Sequence, residues 1–259
     1  MKIISIINQK GGVGKSTTAL SLGAGLSVKG YNVLFIDLDA QGNLTYALGA
    51  KSNGPTVFDL LTSDLKVKDV MLSYGKYYLI SSSSSLAIAD NVITQTGKEY
   101  RLKEKLNNMD VKFDYVIIDT PPALGILTVN ALTASYGALV PAQADIFSLQ
   151  GISQLYDTLQ AVKKYCNPSL KVMGILLTRY NNRSIISRDV AEMIQDAAKN
   201  LDTKLYSTKI RENTAIKESQ ARKQNIFEYA PKCNASIDYN NLLEEILKEE
   251  LLYANKEKL

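Results

Sequence analysis

Histidine is absent from this 259-residue chain and cysteine occurs only twice, at Cys166 and Cys233. Without histidine the commonest general base is missing, so any hydrolysis must rest on carboxylates, lysines and a metal ion. Two distant cysteines without histidine cannot assemble a zinc site of the usual spacing, and they read as neutral thiols, not as a disulfide. Long apolar runs are also lacking. The opening Met1–Ile7 is too short for a signal peptide and runs straight into Asn8-Gln9-Lys10. The expectation is a cytoplasmic protein without stable membrane association.

What is present suits one large α/β domain. Hydrophobic residues make up 46% of the chain, ample for a buried core, and no composition break or internal repeat divides residues 1–259. The most informative stretch is Gln9-Lys10-Gly11-Gly12-Val13-Gly14-Lys15-Ser16-Thr17. An apolar run, Ile3–Ile7, precedes it and a helix-like run, Ala19–Val28, follows. Strand, glycine-rich turn and helix is the order of a phosphate-binding loop. Glycines let backbone N–H groups turn inward around phosphate oxygens, and the helix N-terminus adds partial positive charge. Gly11, Gly12, Val13, Gly14 and Thr17 would line the loop. Lys15 would reach the β- and γ-phosphates, and Ser16 would offer its hydroxyl to Mg2+. The pattern departs from G-x-x-x-x-G-K-[ST]: Gln9 stands where glycine is usual, and a second cation, Lys10, precedes the glycine pair.

Two further segments supply carboxylates. The run Asn32–Asp39 reads as a strand buried on both faces of a parallel sheet, with Asp37 and Asp39 directed to one side at its C-terminal end. Ligands bind at that end in open α/β sheets. Phe113–Asp119 is another apolar strand, ending in an acid and followed by Thr120-Pro121-Pro122. Paired with the loop it has the form of a Walker B strand, so Asp119 is expected to hold Mg2+. Strands are also expected at Tyr77–Ile80, Gly137–Pro141 and Leu170–Thr178, with helices at Val57–Leu61, Gly97–Met109, Gln150–Tyr165, Ser187–Asn200 and Ile237–Leu252. The five serines Ser81–Ser85 read as a loop with a helix cap. Net charge is only +4, but Thr203–Lys223 holds six basic residues against two acidic. That patch suits an anionic partner.

The loop with its extra lysine resembles the deviant Walker A motif of the ParA/MinD family of P-loop ATPases. The resemblance to ParA/Soj proteins extends over Met1–Leu252, including Ala40-Gln41-Gly42-Asn43 and Ser148-Leu149-Gln150-Gly151-Ile152. It implies a mostly parallel twisted sheet with helices on both faces, and ATP with Mg2+ as cofactors. It implies a homodimer formed on ATP binding, in which Lys10 acts in trans and Lys15 in cis. Asp39 would orient the attacking water, with Asp37 in support, and Thr178 belongs to the region that shapes the adenine pocket. DNA contacts are expected from Arg183, Arg211, Lys217, Arg222 and Lys223. Ala215 replaces an arginine of the Soj form, and Lys217 lies two residues later. The implied function is a weak Mg2+-dependent ATPase that segregates DNA. Its ATP dimer would bind double-stranded DNA without sequence preference and be released by a ParB-like partner, so the chain would associate with the nucleoid when ATP-bound. No helix-turn-helix extension is expected ahead of the loop. The alternatives are a MinD-like membrane-cycling ATPase and an ATPase that positions protein clusters. The acidic stretch Glu244–Glu250 near the end of the chain speaks against the membrane alternative.

Overall fold

The computed structural model describes residues 1–50, 54–200 and 202–256, with side chains to Leu252. Residues 51–53, 201 and 257–259 lie outside the described residues. Seven strands form one sheet: β1 (Lys2–Ile6), β2 (Val33–Asp37), β3 (Met71–Tyr74), β4 (Tyr77–Ile80), β5 (Tyr115–Asp119), β6 (Gly137–Ala142) and β7 (Lys171–Leu177), in the order β3-β4-β2-β5-β1-β6-β7. Every neighbouring pair is parallel except β3 and β4. The helices are α1 (Lys15–Val28), α2 (Asn43–Ala47), α3 (Val57–Thr62), α4 (Val67–Val70), α5 (Ala89–Val92), α6 (Arg101–Asn107), α7 (Ile126–Ala134), α8 (Ile146–Tyr165), α9 (Ile185–Asn200), α10 (Thr214–Ala221), α11 (Ile226–Tyr229) and α12 (Asn234–Lys256).

Alternation along the strands builds two faces. Ile4, Ile6, Phe35, Ile117, Leu139 and Leu176 point to the side covered by α1, α2 and α12. Their neighbours Ile3, Leu34, Ile36, Val116 and Ile118 meet α3–α7, while Val140, Ile175 and Leu177 meet α8 and α9. Strands buried on both faces are continuous apolar runs, the pattern of a parallel sheet. The central helix α1 is buried over most of its circumference, including Gly23 and Gly25. A Cβ on Gly23 would stand 2.3 Å from the Phe35 ring, so glycine there sets how closely α1 approaches β2.

The structure adds to and moves the expected elements. The hairpin strand β3 precedes the expected β4, and α7, α10 and α11 are short helices that periodicity alone does not reveal. Helix α8 begins at Ile146, not Gln150, because Asp145 caps it by accepting the Ser148 N–H at 2.9 Å. Residues 97–109 are a 3-10 turn followed by the shorter α6. The serine run is partly buried: Ser81 and Ser82 close the end of β4, and Ser82 Oγ donates to the Asp39 carbonyl.

Gly23→Ala is expected to destabilise the protein by about 1–3 kcal/mol through overpacking, read as a lower urea midpoint. An unchanged midpoint would show that α1 does not rest on Phe35 as described.

Candidate active site

β1 delivers the chain into the loop through buried Ile6 and Ile7. Asn8 anchors the turn: Nδ2 donates to the Pro141 carbonyl at 2.7 Å, and Oδ1 accepts the Lys10 N–H at 2.9 Å. Gly12 and Gly14 take φ of 76° and 87°, a left-handed conformation that side chains disfavour. Gly14 is the N-cap of α1 and no side chain caps the helix, so its first-turn N–H groups face the loop without a side-chain acceptor. That is an anion-binding helix terminus.

The loop is braced from β6 and β7. Thr178 Oγ1 donates to the Val13 carbonyl at 2.7 Å, and Gln143 Nε2 donates to the Gly12 carbonyl at 3.1 Å. Thr178 is therefore a support beneath the loop, with its hydroxyl committed to the Val13 and Ala142 carbonyls. Lys15 is buried, and its ammonium donates to the Lys10 carbonyl at 3.3 Å. Burial lowers its pKa, against the pull of Asp119 and Asp39.

Strand register sets Asp37 directly opposite Asp119 at the ends of β2 and β5. Asp37 is fully engaged: Oδ2 accepts from the Thr45 N–H and hydroxyl, both at 2.8 Å, and Oδ1 from the Asp39 N–H at 3.2 Å. Burial nevertheless pushes it up to about 6, opposed by those hydrogen bonds and reinforced by Asp39. Asp119 is wholly buried, and neither carboxylate oxygen has a hydrogen-bond partner among the described residues. Its carboxyl is raised well above the usual range, first by burial and then by Asp37, while the nearby Ser16 hydroxyl and Lys15 pull the other way. An orphaned buried carboxylate beside a serine hydroxyl and an ammonium is a cation site in search of its ion. No cluster of three or more acidic, cysteine or histidine groups stands ready to hold a metal among the described residues. That suits Mg2+, which binds through one or two protein ligands and substrate phosphates. The residues present thus fit a magnesium nucleotide, with Ser16 and Asp119 on the metal side. Asp39 spends Oδ1 on the Gln41 N–H at 3.0 Å, and no hydrogen-bond partner of Oδ2 is found among the described residues.

Lys10 does not point into this pocket. Its Nζ lies 2.6 Å from Asp145 Oδ2, 3.5 Å from Ser148 Oγ and 5.9 Å from the Phe147 ring centre, at the start of α8. Burial opposes the Asp145 charge, but the Lys10 and Ser148 hydrogen bonds outweigh it and hold the carboxyl below its ordinary value. Asn8, Thr45, Gln143 and Asp145 were not singled out from sequence. Only Asp145 had a readable signal, the Asp-x-x-Ser spacing of a helix cap.

The expected DNA-binding cations divide. Arg211 is held by Asp238 through its backbone N–H and guanidinium, with contacts of 2.6–3.2 Å, while its side chain stays partly exposed. Arg183, Lys217, Arg222 and Lys223 are exposed and form no ion pair among the described residues. The Arg222 guanidinium lies 5.8 Å from the Tyr229 ring and Lys223 Nζ 5.3 Å from Tyr46. Lys209, over Tyr180 at 4.4 Å, lies on the same stretch.

A mostly parallel sheet, a glycine loop between β1 and α1, and an orphaned acid at the end of β5 define a P-loop nucleotide-binding domain. Comparison with known proteins narrows the class. The AAA domain family matches residues 1–172. The sporulation initiation inhibitor protein Soj of Bacillus subtilis is 37% identical over 95% of this chain and 98% of its own length. The chromosome partitioning protein ParA of Caulobacter vibrioides is 35% identical over 96% and 95%. A solved structure titled cobyrinic acid a,c-diamide synthase from Mycobacterium smegmatis, with bound ADP and magnesium, superposes with a TM-score of 0.83 at 33% identity, covering 95% of this chain and 94% of that one. The chain belongs to the ParA/Soj family of P-loop ATPases.

Because Asp37 and Asp119 titrate above an unfolded aspartate, the nucleotide-free protein is expected to lose stability as pH rises from near 4 through 6, where Asp37 is forced to ionise, with Asp119 adding to the loss as pH rises through its own raised value. Asp119→Asn should flatten that slope and raise the melting temperature at pH 7, yet abolish the gain that wild type shows on adding Mg2+ and ATP. A lower melting temperature without nucleotide would contradict the assignment.

Proposed function

We propose that this chain is an ATP-dependent DNA-segregation ATPase. Its ATP-bound form is a sandwich dimer that binds double-stranded DNA through phosphates and lets go when a ParB-like partner stimulates hydrolysis. The observation that carries the reading is the direction of Lys10, parked on Asp145 at the rim and away from its own pocket. A loop lysine in that position is available to a nucleotide held by a second copy. The full-length relationship to Soj and ParA supports the same reading.

In this account Lys15 and the loop N–H groups bind the phosphates, and Ser16 and Asp119 hold Mg2+. Held by these residues, Mg2+ would supply positive charge to offset that of the phosphates. Lys10 of the partner copy adds positive charge where negative charge develops in the transition state. Asp39 orients water, and Asp37 fixes the Asp39 loop through Thr45 and the Asp39 N–H. Without a strong base, intrinsic turnover is slow. The class is a weak Mg2+-dependent ATPase. No helix among the described residues is long and apolar enough to cross a membrane. The working place is the cytoplasm, on the nucleoid in the ATP state.

The test is anisotropy with a random-sequence duplex at two salt concentrations, with ATP–Mg2+, with ADP–Mg2+ and without nucleotide. Asp39→Ala should bind DNA persistently with ATP, and binding should weaken steeply with salt because phosphate contacts displace counterions. Arg183→Ala and Lys217→Ala should lower affinity and the salt slope. Arg211→Ala should lower thermal stability instead, because it strands Asp238. ATP binding without DNA binding in any state would overturn the reading and favour vesicles or protein cargo as partner.

A further inference from the structure

Helix α10 carries the basic stretch yet is lightly anchored. Ser219 is its one buried residue, and Ile216 leans on the core from the side. Its polar ties include Tyr229 of α11, whose hydroxyl donates to Glu218 Oε2 at 3.0 Å, and one that leads to the nucleotide loop: Gln220 Nε2 donates to Thr17 Oγ1 at 2.9 Å, across 203 residues of sequence. Thr17 directly follows Ser16 and sits in the first, uncapped turn of α1. No acceptor for the Thr17 hydroxyl proton is found among the described residues.

The far end of the segment touches the second nucleotide element. Lys223, in a left-handed conformation with φ 55°, places its ammonium 5.3 Å over Tyr46 of α2. Helix α2 is the one whose Thr45 is held by Asp37. A Cβ on Gly49, just past α2, would stand 3.3 Å from Lys223 Cβ, so the two backbones pack closely. Residues 217–223 therefore lie between the loop helix and the helix that follows the Asp37–Asp39 segment.

We propose that α10 is a nucleotide-gated helix: Gln220, acting through the Thr17 hydroxyl, seats the cations at 217–223 when an anion occupies the loop. This rests on the segregation reading above. A hydroxyl has one proton and two acceptor positions. With Gln220 donating into it, the Thr17 proton is left for an acceptor on the loop side. Donation to a phosphate oxygen polarises the hydroxyl and makes it a better acceptor for Gln220. The Gln220–Thr17 bond is thus stronger with nucleotide than without. That differential biases a helix with few other contacts towards its docked position. Gln220 is a positioning residue that touches neither nucleotide nor DNA.

The experiment compares wild type, Gln220→Ala and Gln220→Glu in three readouts: affinity for a fluorescent ATP analogue without DNA, affinity for a random duplex with ATP–Mg2+, and hydrogen exchange of amides 214–223 with and without nucleotide. Wild type should gain protection in α10 on binding ATP. Gln220→Ala should bind the analogue within about threefold of wild type but lose about tenfold in DNA affinity, within the usual range of coupling between sites. It should also lose the nucleotide-dependent protection. Gln220→Glu takes the Thr17 proton for its own carboxylate and should weaken the analogue as well. Unchanged α10 exchange in wild type, or a Gln220→Ala protein that binds DNA with ATP as wild type does, overturns the proposal. A wild type that binds ATP but no DNA defeats the segregation reading instead, and the exchange data then still decide whether Gln220 couples α10 to the loop.

Discussion

Two carboxylates are held face to face in the interior, and much else in the molecule follows from them. Asp37 and Asp119 end adjacent parallel strands at matched register, where burial opposes ionisation of both, reinforced at Asp119 by Asp37 and at Asp37 by Asp39. Asp37 is satisfied by Thr45 and a backbone N–H, and in accepting those bonds it fixes the start of α2 and the Asp39 turn. The Asp119 carboxylate has no hydrogen-bond partner among the described residues, and a bound cation would relieve it. A fold that ends its central strand on an orphaned acid beside an uncapped helix terminus stores a demand for a metal and a polyanion together. Magnesium bound to a nucleotide meets both demands at once.

The sheet explains how that demand is kept rigid. β5 lies between β2 and β1, so the acid strand, the Asp37 strand and the loop strand are immediate neighbours. Apolar side chains on both faces lock their register, since a one-residue slip would turn every one of them to the wrong side. Around the rim the structure is less committed. Lys10 is held by a half-buried ion pair with Asp145, and α10 by Ser219, Ile216 and a few polar contacts, Gln220–Thr17 among them. The rigid part frames the nucleotide site, and the parts proposed to respond to nucleotide are the less firmly held ones at its rim.

Much of this was legible in the sequence where local pattern and chemistry coincide. The apolar runs ending in Asp37 and Asp119, and the glycines flanked by Lys10 and Lys15, specify strand, loop and helix through short-range rules. What could not be read depends on contacts between distant residues. Nothing local marks Gln143 and Thr178 as braces of the loop, because their partners are the carbonyls of Gly12 and Val13. The commitment of Arg211 to Asp238 is invisible in a count of charges. The edge strand β3 was missed because Met71–Tyr74 lacks the continuous apolar character of the buried strands, being paired on one side only.

The central claim is that the site is completed by a second copy of the chain, with Lys10 as the contributed group. A mixing experiment tests it most directly. Lys10→Ala and Asp39→Ala are each prepared, and ATP hydrolysis is measured for each alone and for the two combined. In a mixed dimer, one nucleotide sits beside an intact Asp39 and faces an intact Lys10 from the other copy. The account predicts that hydrolysis absent from each variant appears on mixing. Two inactive variants that stay inactive together, although mixed dimers form, would contradict it.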